Sequence, residues 1–235
     1  MAFPDSGHER SSGWEERALR RSLDLPRARS VNQMHRLVGA ARDLANSTGS
    51  AAFTVAQVAA RAKLSIKVFY RCFAGKDDLL LALLEEDSAT GAGLLASHLE
   101  GRQAPADRVR GYVEGIFELL THPGAVGYAG VLVREYRRLG EDRPQELALA
   151  LAPLVGLLAT ELAAAHAAGV AEIEDPDRAA ATLFGILLGG INEVTTGRAD
   201  PLEMASWLWR FSWSGLAGSR LVGPAPNADK KRGHP

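Results

Sequence analysis

The chain of 235 residues has one cysteine, Cys72, which excludes an intramolecular disulfide and suits a reducing compartment. No apolar segment near the N-terminus has the form of a secretory leader. The longest apolar run, residues 147–159, contains Pro153 and is shorter than the ~18 residues a membrane span requires. The six histidines (His8, His35, His98, His122, His166 and His234) show no metal-ligand spacing. A glycine-rich phosphate loop and a Ser/His/Asp pattern are both missing, and no segment reads as a β-strand. These absences point away from a secreted, membrane, metal-dependent or catalytic protein. The expectation is a cytoplasmic, non-enzymatic chain without a cofactor.

What is present is helix and an uneven charge distribution. Net charge is −1, which alone would argue against nucleic acid. Yet residues 30–80 carry seven Lys/Arg against three Asp/Glu, whereas residues 81–235 carry fourteen against twenty. A basic head on an acidic body suits a protein that offers one end to phosphate. Apolar content of 46% is ordinary for a globular protein and gives a chain of this length a sizeable core.

The most informative segment is residues 53–79. Thr54 with Gln57 three positions on is a capping box, and Val55, Val58, Ala59 and Ala62 follow at helical spacing. Ser65 can cap a second short helix. There Phe69 and Phe73 fall on the core side, leaving Lys67, Val68, Arg71 and the Tyr70 hydroxyl to face outward. A third helix starts near Lys76, with Asp77 and Asp78 at the positive end of its dipole. Helix, tight turn, helix is the arrangement that places one helix in the DNA major groove.

This segment resembles the N-terminal domain of the TetR family of transcriptional regulators. The resemblance is carried in one unbroken register by Thr54, Val55, Val58, Ala59, Ala62, Leu64, Ser65, Phe69, Tyr70, Phe73, Lys76 and Leu79. With an upstream helix over 31–47 it covers about 50 residues. Lys63 stands where the family has Gly, at a turn position that calls for positive φ and costs a non-Gly residue roughly 1 kcal/mol. Cys72 replaces the usual His or Tyr. The DNA-contact candidates are Thr54, Ser65, Lys67, Val68, Tyr70, Arg71 and Lys76; Arg36 and Arg42 read as solvated.

The remaining chain divides into helices at about 76–99, 106–121, 124–139, 144–168, 176–196 and 201–218, with a bend expected at Pro153. Asp175-Pro176 and Asp200-Pro201 each pair a cap with proline at the first helical position. The expected organisation is all-α. A polar arm over 1–28 holds one short helix near 14–23. A DNA-binding domain spans 29–75, a helical effector-binding and dimerisation domain 76–221, and a disordered tail 222–235. On 176–196, Gly185 and Gly189 belong to a small-residue face open to close helix approach. On 201–218, the pairs Trp207/Phe211 and Trp209/Trp213 lie on opposite sides, so one side meets the core and the other a partner, and Gly185, Gly189, Trp207, Trp209 and Trp213 are the dimer-interface candidates. The resemblance implies the same arrangement, a dimer built on the last two helices. It also implies a cavity among the middle helices; a lining mainly of Leu, Val, Ile, Phe and Ala favours a small apolar or amphipathic effector, and Tyr112, Tyr136 and Asn192, each on or beside an inward stripe, are the expected orienting groups. Tyr128, Arg134 and His166 are weaker candidates. The leading expectation is a homodimeric repressor that binds a palindromic operator and is released by such an effector. The competing expectation is an effector-independent activator or architectural DNA-binding protein.

Overall fold

The computed structural model describes residues 13–217, with side chains from residue 28 onward. The expected tail at 222–235 lies outside the described residues, as do residues 1–12. Helix α1 spans Gly13–Thr48, so it starts well before the predicted residue 31 and takes in much of the expected arm. Then come α2 (Val55–Arg61), α3 (Ile66–Cys72), α4 (Lys76–His98), α5 (Pro105–Glu118), α6 (Ala125–Asp142), α7 (Pro144–Ala167), α8 (Pro176–Thr195) and α9 (Pro201–Ala217). A 3-10 turn, Leu119–Thr121, closes α5. No strand occurs among the described residues, and the all-α expectation holds.

Two apolar cores organise the molecule. The first gathers Leu37, Ala41, Phe53, Val58, Phe69 and Phe73 from α1–α3 with Leu79, Leu80, Leu83 and Leu84 from the first turns of α4. Val131, Leu139, Leu147 and Ala150 of α6 and α7 belong to the same core, so it runs across the boundary drawn at residue 75. The second gathers Val109, Tyr112, Val113 and Phe117 of α5 with Leu158 and Leu162 of α7, Leu183 and Leu187 of α8, and Leu208 of α9.

Helix α7 is long and apolar enough to cross a membrane by length and composition, which the residue 147–159 run did not suggest. Here it packs against α4, α5 and α8 inside the helical body. Its one charged core residue, Glu161, is 3% exposed and accepts from Arg108 Nε at 2.6 Å and Nη2 at 2.7 Å. A two-pronged guanidinium partner of this kind meets the need of a buried carboxylate.

Pro153 sits inside α7. It has no N–H and its ring crowds the preceding turn, which disturbs the local hydrogen-bond ladder. Next to it, the Leu154 N–H donates to Ser88 Oγ of α4 at 3.3 Å, and the Leu154 carbonyl accepts from the Tyr112 hydroxyl of α5 at 3.0 Å. Three helices are tied together at the proline.

Candidate nucleic-acid interface and ligand cavity

The local chemistry of the two short helices follows from their caps. Thr54 Oγ1 accepts from Gln57 N at 3.2 Å while Gln57 Oε1 accepts from Thr54 N at 2.7 Å, which completes the capping box. Ser65 Oγ accepts from Val68 N at 3.3 Å. The side-chain oxygens of Thr54 and Ser65 thus serve the starts of α2 and α3, beside the backbone N–H groups that helix N-termini offer to phosphate.

Between the helices, Lys63 has φ 52°, the one positive φ outside glycine among the described residues. The strain anticipated at this turn is therefore present. Arg36 of α1 braces it, donating from Nη2 to Ala62 O at 2.5 Å and to Lys63 O at 3.3 Å. Arg36 was read as a solvated residue. It instead satisfies carbonyls at the end of α2, a role invisible without knowing which face of α1 meets the turn.

Helix α3 turns Phe69 fully into the first core and leaves Tyr70 59% exposed. Lys67 and Arg71 are exposed, and Val68 is half-buried. Lys67 makes no hydrogen bond or ion pair with the described residues, whereas Arg71 Nη2 donates to Gln33 Oε1 of α1 at 2.8 Å. Ile66, 48% exposed, adds an apolar side chain that the sequence pattern had not marked as outward. Lys76, at the start of α4, has its ammonium 5.1 Å from the Phe53 ring centroid. Cys72 is half-buried against the first core. The candidate DNA-contact residues thus occupy α2, α3 and the start of α4, in a unit held rigid by caps, core and Arg36.

The start of α4 is also fastened to the body. Arg138 of α6 pairs with Asp77 at 2.6 Å, and Arg143, which precedes α7, pairs with Asp78. The Arg143 hydrogen bond, with a second from the Ala74 N–H, holds the Asp78 carboxyl below the ordinary range despite opposing desolvation. Further along α4, Arg42 of α1 grips Asp87 from Nε at 3.0 Å and Nη2 at 2.7 Å, and reaches Glu86 at 3.0 Å. Tyr128 of α6 donates to the other Asp87 oxygen at 2.5 Å. Burial works to lower the Arg42 pKa, but attraction to Asp87 and hydrogen bonds to Glu86 and Asp87 overcome it and raise it. Desolvation first, then the Asp87 charge, raises the Tyr128 phenol. Arg42, like Arg36, is thus engaged rather than solvated.

In the body, a cavity of about 200 Å³ lies between α4, α5, α6, α7 and α8. Its walls are almost wholly apolar, with Leu84, Leu95, Ile116, Leu132, Leu154 and Ile191 among them; Asp87, Ser88 and Tyr136 bring the polar groups. Tyr136, Leu151 and Phe184 also line a neighbouring groove of about 480 Å³ between α6, α7 and α8, so these three side chains are shared by the cavity, hereafter the inner cavity, and this outer groove.

Tyr136 is therefore on the cavity wall, while Tyr112 and Asn192 are not among its lining residues. The Tyr112 hydroxyl is spent on Leu154 O beside Pro153, and its side chain is wholly buried. Asn192 sits near the end of α8, where its carbonyl accepts from Thr196 N. Among the weaker candidates, Arg134 donates to Gly49 O at 2.7 Å, and His166 Nδ1 accepts from Ile173 N at 3.2 Å. Asp87 and Ser88 were missed, because a carboxylate in a leucine-dense helix reads as solvent-facing until its partners are known.

On the far side, Trp209 and Trp213 stack at 4.8 Å against the second core. Trp207 and Phe211 stack at 5.2 Å on the outside, 51% and 56% exposed. Ile186 of α8 is exposed nearby. Gly185 and Gly189 are also on an open face, where an added Cβ would meet nothing within 4 Å. The tight glycine of α8 is Gly190, whose Cβ would fall 2.5 Å from Leu208 Cδ1.

The chain thus joins a helix-turn-helix with a basic outward face to an all-helical body that holds an apolar cavity. Residues 37–83 match the family model of bacterial regulatory proteins, tetR family. The fold is similar to that of the transcriptional regulator FadR from Bacillus subtilis in complex with stearoyl-CoA, at 18% identity and TM-score 0.64 over 77% of this chain and 98% of that one. FadR from Bacillus halodurans aligns at 19% identity and TM-score 0.64, over 77% and 98%. RolR in complex with resorcinol aligns at 20% identity and TM-score 0.61, over 84% and 99%. No protein of curated function matches the sequence. The tetR family match is thus confined to residues 37–83, and the rest of the chain shares the fold of these regulators.

Proposed function

We propose that this regulator is a homodimeric repressor that binds a palindromic operator in the cytoplasm and leaves it when a small apolar effector fills the body cavity. The observation that carries the reading is the outward aromatic face on α8 and α9, with Trp207, Phe211 and Ile186 exposed beside the open Gly185 and Gly189. An apolar patch of this kind on a folded chain marks an association surface. A second copy docked on it by a two-fold axis forms a four-helix interface, and the same axis presents two recognition helices to one duplex. Trp207 then belongs to the interface, while Trp209 and Trp213 support it from inside.

On DNA, Lys67 and Arg71 read base edges and Lys76 and Thr54 hold phosphates, with Ser65, Val68 and Tyr70 completing the contact surface. In the body, Tyr136 orients the effector. Neighbours of this fold are bound to ligands as different as stearoyl-CoA and resorcinol, so the fold alone does not choose the ligand. Size does: an engineered cavity of about 150 Å³ holds benzene, so the inner cavity suits one ring or a chain of like bulk. A longer amphipathic molecule would extend past Tyr136 into the outer groove. The effector lowers operator affinity by favouring a conformation in which the two heads are wrongly spaced.

Replacing Gly189 by Arg tests the dimer. A long cation on a close helix contact should give monomers by light scattering, with operator affinity reduced at least tenfold and the fold retained by circular dichroism. A tight dimer for this variant would remove that face from the interface.

A further inference from the structure

Asp87 is the one charged side chain on the wall of the inner cavity. Its Oδ1 accepts twice from Arg42 and its Oδ2 once from Tyr128. A carboxylate offers about four acceptor positions, so one remains for a ligand. Arg42 comes from α1, and six residues earlier the same helix carries Arg36, which holds the helix-turn-helix turn. One helix thus touches the wall of the cavity and the DNA-reading unit.

We propose that Asp87 is the recognition residue of this cavity for a small apolar amine, whose ammonium competes with Arg42 for the carboxylate and so loosens α1 from α4. The inference rests on the reading of the cavity as the effector site. A cation is required because a neutral donor taking Arg42's place would leave a partly buried carboxylate without a counter-charge, a costly state. Exchange is feasible because Arg42 keeps a second partner in Glu86, 3.0 Å from its Nη2. The remaining walls are apolar and the volume is near 200 Å³, which limits the rest of the ligand to about one ring or a short branched chain. Ser88, beside it, is neutral and offers an ammonium no counter-charge, and its Oγ already accepts from the Leu154 N–H.

Benzylamine and its neutral counterpart toluene, titrated by calorimetry into the full chain, test this. Wild type should bind benzylamine. Asp87→Asn should lose tenfold or more in benzylamine affinity with toluene binding unchanged. Arg42→Gln, which keeps the carboxylate and removes its competitor, should bind benzylamine several-fold more tightly, again without effect on toluene. A merely structural role for the pair would not raise affinity for one probe alone. Equal losses for both probes in Asp87→Asn, or no gain in Arg42→Gln, would overturn the proposal. Toluene binding without any preference for the amine would overturn it while leaving the effector cavity standing. Binding of neither probe to any of the three proteins would remove both.

Discussion

At the scale of single residues, backbone conformation and close approach decide what the chain tolerates. Lys63 adopts φ 52° in the turn between α2 and α3. Because left-handed backbone costs an L-residue about 1 kcal/mol, Lys63→Gly should raise stability by roughly 0.5–1 kcal/mol in chemical unfolding. Gly190 shows the opposite constraint. A Cβ there would lie 2.5 Å from Leu208 Cδ1 and 3.0 Å from Phe117 Cζ, and both side chains are buried. Gly190→Ala should therefore destabilise the chain by about 1–3 kcal/mol in the same assay. The first constraint was legible in the sequence, since a lysine stands where the turn calls for glycine. The second was not. Gly185, Gly189 and Gly190 look alike in a string of small residues, and only the packing of α9 on α8 shows which of them is squeezed.

At the scale of elements, α3 combines a core stripe with an outward face, and its caps made both readable from spacing. Lys67 is free of partners among the described residues, whereas Arg71 must leave Gln33 to reach a base edge. Lys67→Ala and Arg71→Ala should each relax base preference, by roughly 1–3 kcal/mol at the contacted position. Lys76→Ala should weaken binding to all duplexes by a similar factor, as loss of a phosphate contact does. Competition binding with specific and random duplexes separates the two patterns; equal losses on both for the α3 variants would remove them as base readers. Helix α1 exceeded its prediction, because polar composition and Pro26 argued for an unstructured arm up to residue 28 while the structure continues helix back to Gly13. In α7, the proline was visible but its consequence was not. Tyr112, picked as a ligand contact for its place on an apolar stripe, is bound to Leu154 O instead.

At the scale of the whole molecule, ion pairs join head and body along α4. Asp77 and Asp78 meet Arg138 and Arg143 at its start, and Asp87 meets Arg42 further on. The helix-turn-helix is therefore not hung on a free linker, and α4, which carries these acidic residues, also lines the cavity. The all-α class and the DNA-reading unit were legible because capping, periodicity and charge agree there. The cavity's polar wall was not, because it is assembled from helices far apart in sequence. Asp87, on that wall, is held by Arg42 and Tyr128, 45 and 41 residues away.

The central claim is that two copies of α3, set about one DNA turn apart by a dimer on α8 and α9, read a palindrome. Selection of duplexes from a randomised pool by the full chain, followed by salt-dependent binding of the enriched sequence, tests it most directly. The account predicts one enriched palindrome with half-sites about 34 Å apart, bound with a steep salt dependence from phosphate neutralisation. Enrichment of a single unrepeated half-site, or of no sequence at all, would contradict it.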